Sequence, residues 1–388
     1  MLESAPPAAV ARHTFPSPEK GLSVLSFMTS PRLHFATLSL FTALSLATTA
    51  SFADEDEAVA KGRWQGLAGM ANLYLNDAGA QEFIDAGDKE KSDHDNMAGA
   101  LAYYLTAARL DPNNAYASYQ AGAALASMEK FELAADLLDQ ARERGFWQAV
   151  ILRDDDELEA MKDAPAYKKL LQSAEANYAK HAKDAGTAAF SIPQGKAPAG
   201  GWPVVVWLGG YGTEGSKGIR MREDLVGERA VLVGLNGTLK RDEGQFMWQQ
   251  DSVAPTEKAI AAALKTLAKQ TSIDRSKVAL IGFSQGAEHA AHLIAENPQH
   301  YAGAVLLSPG GFRIPFAVQK AKDKRIVIVH GAKEHSSNLE LTATTQKAFE
   351  GSNQVQSHEH PAGHTFQDDW ETAYRGYLDY ALGLTPAG

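Results

Sequence analysis

Ser284 lies in Gly282-Phe283-Ser284-Gln285-Gly286, directly after the apolar run Lys277 to Ile281 and before the Ala-rich stretch Gln285 to Glu296. At ordinary composition a chain of this length holds a chance Gly-x-Ser-x-Gly about 0.1 to 0.2 times, so the flanking pattern decides. A buried strand ahead and a helix behind make a sharp turn that pushes the hydroxyl out above a sheet, with glycines supplying small size and unusual backbone angles. A neutral Ser hydroxyl attacks only when an adjacent base takes its proton. Histidine, with an ordinary pKa of about 6.5, suits that task, and a buried carboxylate holds its tautomer and balances the imidazolium. Two later segments carry those groups: His330-Gly331-Ala332-Lys333-Glu334 and Pro361-Ala362-Gly363-His364-Thr365-Phe366. The chain order is nucleophile, acid, base.

The elements that must position these groups read as a parallel sheet. Apolar runs at Val204–Leu208, Ala230–Leu235, Lys277–Ile281, Ala304–Leu307 and Arg325–Val329 alternate with helical stretches at Pro255–Lys269, Gln285–Glu296, Asn338–Phe349 and Asp368–Gly383. Strands apolar on both faces and separated by helices form a sheet covered on both sides, which predicts a doubly wound, mostly parallel α/β domain over 186–388. In such sheets catalytic groups collect at the carboxyl ends of the strands. The first strand leads into Leu208-Gly209-Gly210-Tyr211-Gly212-Thr213, a glycine-dense loop whose backbone N–H groups can face an oxyanion.

These motifs and their order resemble the α/β-hydrolase superfamily over Ala188 to Leu384. The short spans from Ser284 to Glu334 and on to His364 are similar to its carboxylesterase/phospholipase and dienelactone-hydrolase-like branches, which lack a large lid. The resemblance implies Ser284 as nucleophile, His364 as base and then acid, Glu334 as the carboxylate that orients the ring, and the N–H groups of Gln285 and Tyr211 as the oxyanion hole. It further implies that Gly210 and Trp248 line the substrate cleft, although a core place for Trp248 fits equally well. Gly209 stands where many relatives carry His, which leaves the backbone donor in place. Asp is the more usual acid in this subgroup, and Ser336-Ser337-Asn338 replaces the usual apolar-Pro pair, so Asp323 competes as the acid and Glu340 reads as a structural helix residue. The implied activity is cleavage of a small-molecule carboxylic ester without cofactor or metal. A peptidase or acyltransferase on the same triad, and a silent hydrolase scaffold, are the alternatives.

Residues 54–185 show helical periodicity with almost no strand signal, predicting an all-α domain ahead of the sheet. From Asn113 to Gly145 the spacing of Tyr116, Tyr119, Gly122, Leu125, Ala126, Phe131, Ala134, Ala135, Leu138 and Ala141 resembles a tetratricopeptide unit. Ala98 to Pro112 reads as the second helix of an earlier unit, with Arg63 to Leu75 as its first helix and Gly79 to Asp95 as an interruption. The stretch Leu152 to Leu171 resembles the closing segment of such arrays. A small unrelated helical bundle fits the same pattern. This domain is expected to bind a protein partner or to restrict the cleft.

Composition narrows the field. The 388-residue chain carries a formal charge of −10 and no Lys/Arg run, which argues against a nucleic-acid backbone as ligand. With no cysteine, disulfides, thiolate metal sites and a Cys nucleophile are excluded. His289, His292, His330, His335, His358 and His360 read as surface or packing residues, with a His360/His364 metal pair the rival. Residues 1–53 read as a Pro-rich extension and a signal peptide starting at Met28, with Arg32, the apolar run Phe35–Ala47 and cleavage after Ala53, which predicts export without a stable membrane span. Phe312 to Val318 is the one candidate lid insertion, and it is short.

Overall fold

The computed structural model describes residues 69–74, 76–311 and 320–384. The expected signal peptide and the expected Phe312–Val318 insertion lie outside these residues. The chain divides into two compact units, Met1–Ala78 and Gly79–Gly388. In the first, the described residues include a short helix over 69–74.

The second unit opens with helices. They are α1 (Ala80–His94), α2 (Met97–Leu110), α3 (Ala115–Ser127), α4 (Phe131–Glu143), α5 (Ala149–Asp154) and α6 (Pro165–His181), with a 3₁₀ turn at Asp156–Met161. The expected helix pair over Asn113–Gly145 is α3 and α4, and Gly122 of α3 sits so close that a Cβ there would lie 3.0 Å from Leu138. The expected interruption at Gly79–Asp95 is instead helix α1. Only Phe83, Ile84, Gly87 and Glu90 of its 15 residues are buried, so its apolar stripe is too sparse to read as a helix. Its start is set by Glu82, whose carboxylate accepts from the Gly79 N–H at 3.0 Å.

The rest is an α/β-hydrolase fold. Strands β1 (Ala188–Ser191), β2 (Trp202–Leu208), β3 (Val231–Leu235), β6 (Ile273–Phe283), β7 (Gly303–Leu307), β8 (Arg325–Gly331) and β9 (Gln354–His360) form one sheet in the order β1-β3-β2-β6-β7-β8-β9. Only β1 runs antiparallel, to β3. Strand β6 runs past the expected Lys277–Ile281 because its polar start, Asp274-Arg275-Ser276, is half-buried to exposed beyond a register shift opposite Trp202–Val204. Strands β4 (Leu239–Asp242) and β5 (Gln245–Met247), unread in the sequence, form a separate two-stranded hairpin.

Side chains alternate across each strand, so β2 feeds two cores. Val204, Val206 and Leu208 face the layer under α9 (Ala254–Leu267) and α10 (Gln285–Glu296); Val205 and Trp207 face the layer under α8 (Arg222–Leu225) and α12 (Trp370–Ala381). Short α7 (Gly215–Ile219) and α11 (Ser336–Glu350) complete the cover. From β2 the chain goes to β3 on one side and later to β6 on the other, and beyond β6 it continues away through β7. The switch point therefore lies between β2 and β6, and a crevice opens there at the carboxyl ends. Among the described residues no helix is long and apolar enough to cross a membrane.

Helix α10 carries a buried charge-bearing group. Glu288 is 0% exposed, and its Oε1 accepts from Thr345 Oγ1 of α11 at 3.3 Å while Oε2 has no hydrogen-bond partner among the described residues. Burial pushes its carboxyl from 4.5 up to about 7, and the Thr345 hydroxyl opposes the rise. A folded-state value above the unfolded one means this group contributes fully below the unfolded pKa, and its contribution is lost as the pH rises through about 7. The Glu288→Gln variant should therefore gain on the parent by roughly 2–4 kcal/mol between pH 5 and pH 8. Denaturant melts at both pH values check this, and a difference that does not change with pH would refute it.

Candidate active site

Ser284 occupies φ 53°, ψ −122°, a backbone region that non-glycine residues seldom adopt. Its N–H donates to Leu307 O at 2.9 Å and its carbonyl accepts from Gly310 N at 3.3 Å, both from the neighbouring strand and its loop; the carbonyl also accepts from Ala287 N in the first turn of α10 at 2.9 Å. The flanking glycines act through size rather than angle. A Cβ on Gly286 would lie 2.1 Å from Leu208 O, and one on Gly282 would lie 2.2 Å from Gly286 O. Helix α10 thus crosses β2 and β6 in near backbone contact, and the unusual angle falls on Ser284 itself.

Gln285 opens α10, where the first N–H groups have no intrahelical acceptor. On the other side of the crevice, Gly210 is so near the elbow that a Cβ would sit 3.2 Å from Phe283 and 3.3 Å from Ser284 Cβ. Gly212 N donates to Phe246 O at 2.8 Å and Thr213 N to Gly210 O at 3.1 Å, whereas the N–H groups of Tyr211 and Gln285 meet no protein acceptor among the described residues. Two unspent donors beside a Ser hydroxyl are what a developing oxyanion requires.

Glu334 and His364, expected as acid and base, come from the far side of the sheet. Parallel pairing aligns Phe283 with Leu307, Leu307 with Val329, and Gly331 with His360, so the loops after β6, β7, β8 and β9 leave from one rim. The last two are tied together: Ala332 N donates to His360 O at 2.8 Å, and Lys333 N to Ala362 O at 3.0 Å. His364 Nδ1 then meets Glu334 Oε2 at 2.7 Å. A carboxylate only accepts, so Nδ1 carries the proton and Nε2 is left as the basic nitrogen. The His364 ring is 38% exposed and the Glu334 side chain 1%. Burial alone would raise the Glu334 carboxyl; the Ser308 hydroxyl, the Asn338 amide and the His364 ring together hold it below its ordinary value. Among the described residues Ser284 has no hydrogen bond to His364, though Phe283, its chain neighbour, packs its ring 5.0 Å from the imidazole. In ligand-free enzymes such contacts are often long and close when substrate arrives.

The competing acids lie elsewhere. Asp323 precedes β8, at the opposite end of the sheet, and Glu340 is exposed on α11. Trp248 does not line the cleft: it is 1% exposed, with its indole N–H donating to Gly209 O at 2.7 Å, so it supports the Gly209–Thr213 loop from behind. Gln285 clamps the same tryptophan through Oε1, which accepts from Trp248 N at 2.9 Å, and Nε2, which donates to Trp248 O at 3.2 Å. Gly210 does line a cleft of about 660 Å³, together with Phe283, His364, Trp207, Phe366 and Trp370. His289 is buried and bonded to Gln249 O at 2.9 Å, and burial pushes its ring down to about 3, so it stays neutral. No trio of His, Asp or Glu among the described residues is arranged to hold a metal ion.

Two residues escaped the sequence reading. Asn338 Nδ2 donates to Glu334 Oε2 at 3.1 Å and lies 3.4 Å from His364 Nδ1. Ser308 follows β7 at the same rim, 2% exposed with φ 45°. The rule that functional groups follow strand ends would have found Ser308. Asn338 left only the trace of the polar trio Ser336-Ser337-Asn338.

Residues 239–373 match the family model described as Phospholipase/Carboxylesterase. No curated protein matches the chain. Among solved structures, the Bacillus cereus carboxylesterase is 20% identical with a TM-score of 0.41, covering 50% of this chain and 93% of its own. A carboxylesterase from Mesorhizobium loti is 21% identical with a TM-score of 0.38, covering 45% of this chain and 88% of its own. An uncharacterized Bacillus cereus protein is 14% identical with a TM-score of 0.40, covering 79% of this chain and 100% of its own.

Asn338 supplies part of what keeps Glu334 ionised, so Asn338→Leu should raise the carboxyl's pKa and move the acid limb of kcat/KM to higher pH. kcat at neutral pH should fall about 10-fold, in line with one lost charge-assisted bond. A pH–rate profile checks it; an unmoved limb with unchanged kcat would exclude that role for Asn338.

Proposed function

We propose that this chain is an exported serine hydrolase that cleaves small-molecule carboxylic esters through an acyl-enzyme on Ser284. The observation that carries the reading is the His364–Glu334 pair at 2.7 Å on the same sheet rim as a strained Ser284 turn. His364 Nε2 takes the Ser284 proton as Oγ attacks the ester carbon, and the carbonyl oxygen becomes an oxyanion received by the N–H groups of Tyr211 and Gln285. The imidazolium returns its proton to the leaving alcohol. Water then attacks the acyl-enzyme by the same route, releasing the acid and restoring Ser284. Glu334 stays ionised and keeps the ring in one tautomer. The family match supports ester chemistry, and the aromatic lining of the cleft supports an apolar group of moderate size on one side of the scissile bond. Export rests on the N-terminal pattern Met28 to Ala53.

With an activated chromogenic ester the parent should give a burst, and Ser284→Ala should lower kcat on the order of 10⁴-fold. A fluorophosphonate should label the parent at Ser284 and leave that variant unmodified. Near-parental turnover by Ser284→Ala would dismiss the nucleophile, and a parent that neither turns over nor labels would mark the domain as a silent scaffold.

A further inference from the structure

The β4–β5 hairpin touches the oxyanion loop on one side and the helical segment on the other. On the catalytic side, Phe246 O accepts from Gly212 N at 2.8 Å, which fixes the residue next to Tyr211. The Arg241 guanidinium lies over the Tyr211 ring at 5.3 Å, held by a 2.7 Å bond from Nη1 to Gln245 Oε1. The chain leaving β5 supplies Trp248, whose indole holds Gly209 O and whose backbone is clamped by Gln285. Both residues assigned to the oxyanion hole are therefore braced by one hairpin.

That hairpin belongs to neither face of the main sheet, and its outer anchor is helical. Lys240 is 3% exposed despite its charge; its Nζ pairs with Asp184 at 3.1 Å and Glu243 at 2.8 Å. The ammonium stands 5.9 Å from the centres of both the Trp147 ring, between α4 and α5, and the Phe246 ring. Lys240 N donates to Tyr178 Oη of α6 at 2.8 Å, and Trp147 stacks on His181 of the same helix at 4.8 Å. A second link comes from α1: burial raises the Asp88 carboxyl, and Arg241 is among the charges that pull it back. The Lys240 stem is buried while its carboxylate partners Asp184 and Glu243 are 47% and 72% exposed, so what fixes the hairpin is the geometry of these contacts together with the Tyr178 and Trp147 contacts, and water screens the charge pairing itself.

We infer that the helical segment is a working part of the ester-cleaving site, which sets the Tyr211 N–H through Lys240 and the β4–β5 hairpin. Lys240 and Tyr178 are positioning residues: they touch no reacting atom and act on the oxyanion hole through Phe246, Gly212 and Arg241. This rests on the proposed role of Ser284. A donor displaced by a fraction of an ångström weakens transition-state binding while leaving ground-state binding intact, because the oxyanion exists only after attack.

The test compares full-length parent, Lys240→Met, Lys240→Arg and the milder Tyr178→Phe, each assayed well below its own Tm. Lys240→Met and Tyr178→Phe should lower kcat by roughly 5- to 50-fold with KM within about twofold, short of the loss seen when an oxyanion donor is removed outright. Binding of a trifluoromethyl ketone, whose hemiketal oxyanion fills the hole, should weaken by the same factor, and Lys240→Arg should recover most of both. If Lys240→Met does not fold, Tyr178→Phe decides on the same readouts. Folded variants with parental kcat and inhibitor affinity, or with a raised KM at parental kcat, would overturn the inference while leaving the nucleophile assignment intact. A parent without Ser284-dependent turnover would remove both.

Discussion

The near-contact of helix α10 with strands β2 and β6 is the constraint from which the site follows. Gly286 and Gly282 let the helix start directly against Leu208 and the end of its own strand. The chain has one residue in which to turn, so Ser284 takes φ 53° at a cost of roughly 1–3 kcal/mol. Two apolar layers, one on each face of the sheet, offset that strain. The same crossing sets the Gln285 N–H at a helix start and draws Gly210 against the elbow, so hydroxyl and donors are placed by one backbone approach.

Across the rim, the pairing of Glu334 with His364 depends on parallel register. β8 and β9 end level at the Gly331–His360 pair and β7 ends nearby opposite Val329, so the loops carrying Ser308, Glu334 and His364 leave from one rim although they are separate in the chain. The longer Glu side chain is accommodated by burial and by Asn338 on the first turn of α11, which donates to the oxygen that the ring also uses. Burial raises the Glu334 carboxyl, and the Ser308 hydroxyl, the Asn338 amide and the His364 ring bring it below its ordinary value, with the Asn338 and His364 bonds both falling on Oε2.

The helical segment enters the same economy through charge rather than apolar packing. Lys240 lies among aromatic rings and two carboxylates, in a hairpin whose sequence, Leu239-Lys240-Arg241-Asp242, shows no strand pattern. Such a strand owes its existence to what surrounds it. Its burial, its pairing with β5 and the bracing of Tyr211 are all long-range properties.

What the sequence determined by itself was whatever leaves a local signature. Apolar runs of strand length between helical stretches specify a covered parallel sheet, and Gly-x-Ser-x-Gly after such a run specifies a turn with an outward hydroxyl. The order of Ser284, Glu334 and His364 then follows from strand ends. Other features have no local signature and were decided only in three dimensions. Trp248 reads equally as cleft wall or core, and its place was settled by an acceptor at Gly209 on a distant loop. Helix α1, where an interruption of the repeat was expected, leaves little trace in the sequence because only four of its residues are buried. Ser308, Asn338 and Lys240 acquire their partners through register and domain packing, which bring together residues far apart in the chain. Hydrophobic period records which side of an element faces a core; it carries no record of which polar atom waits there.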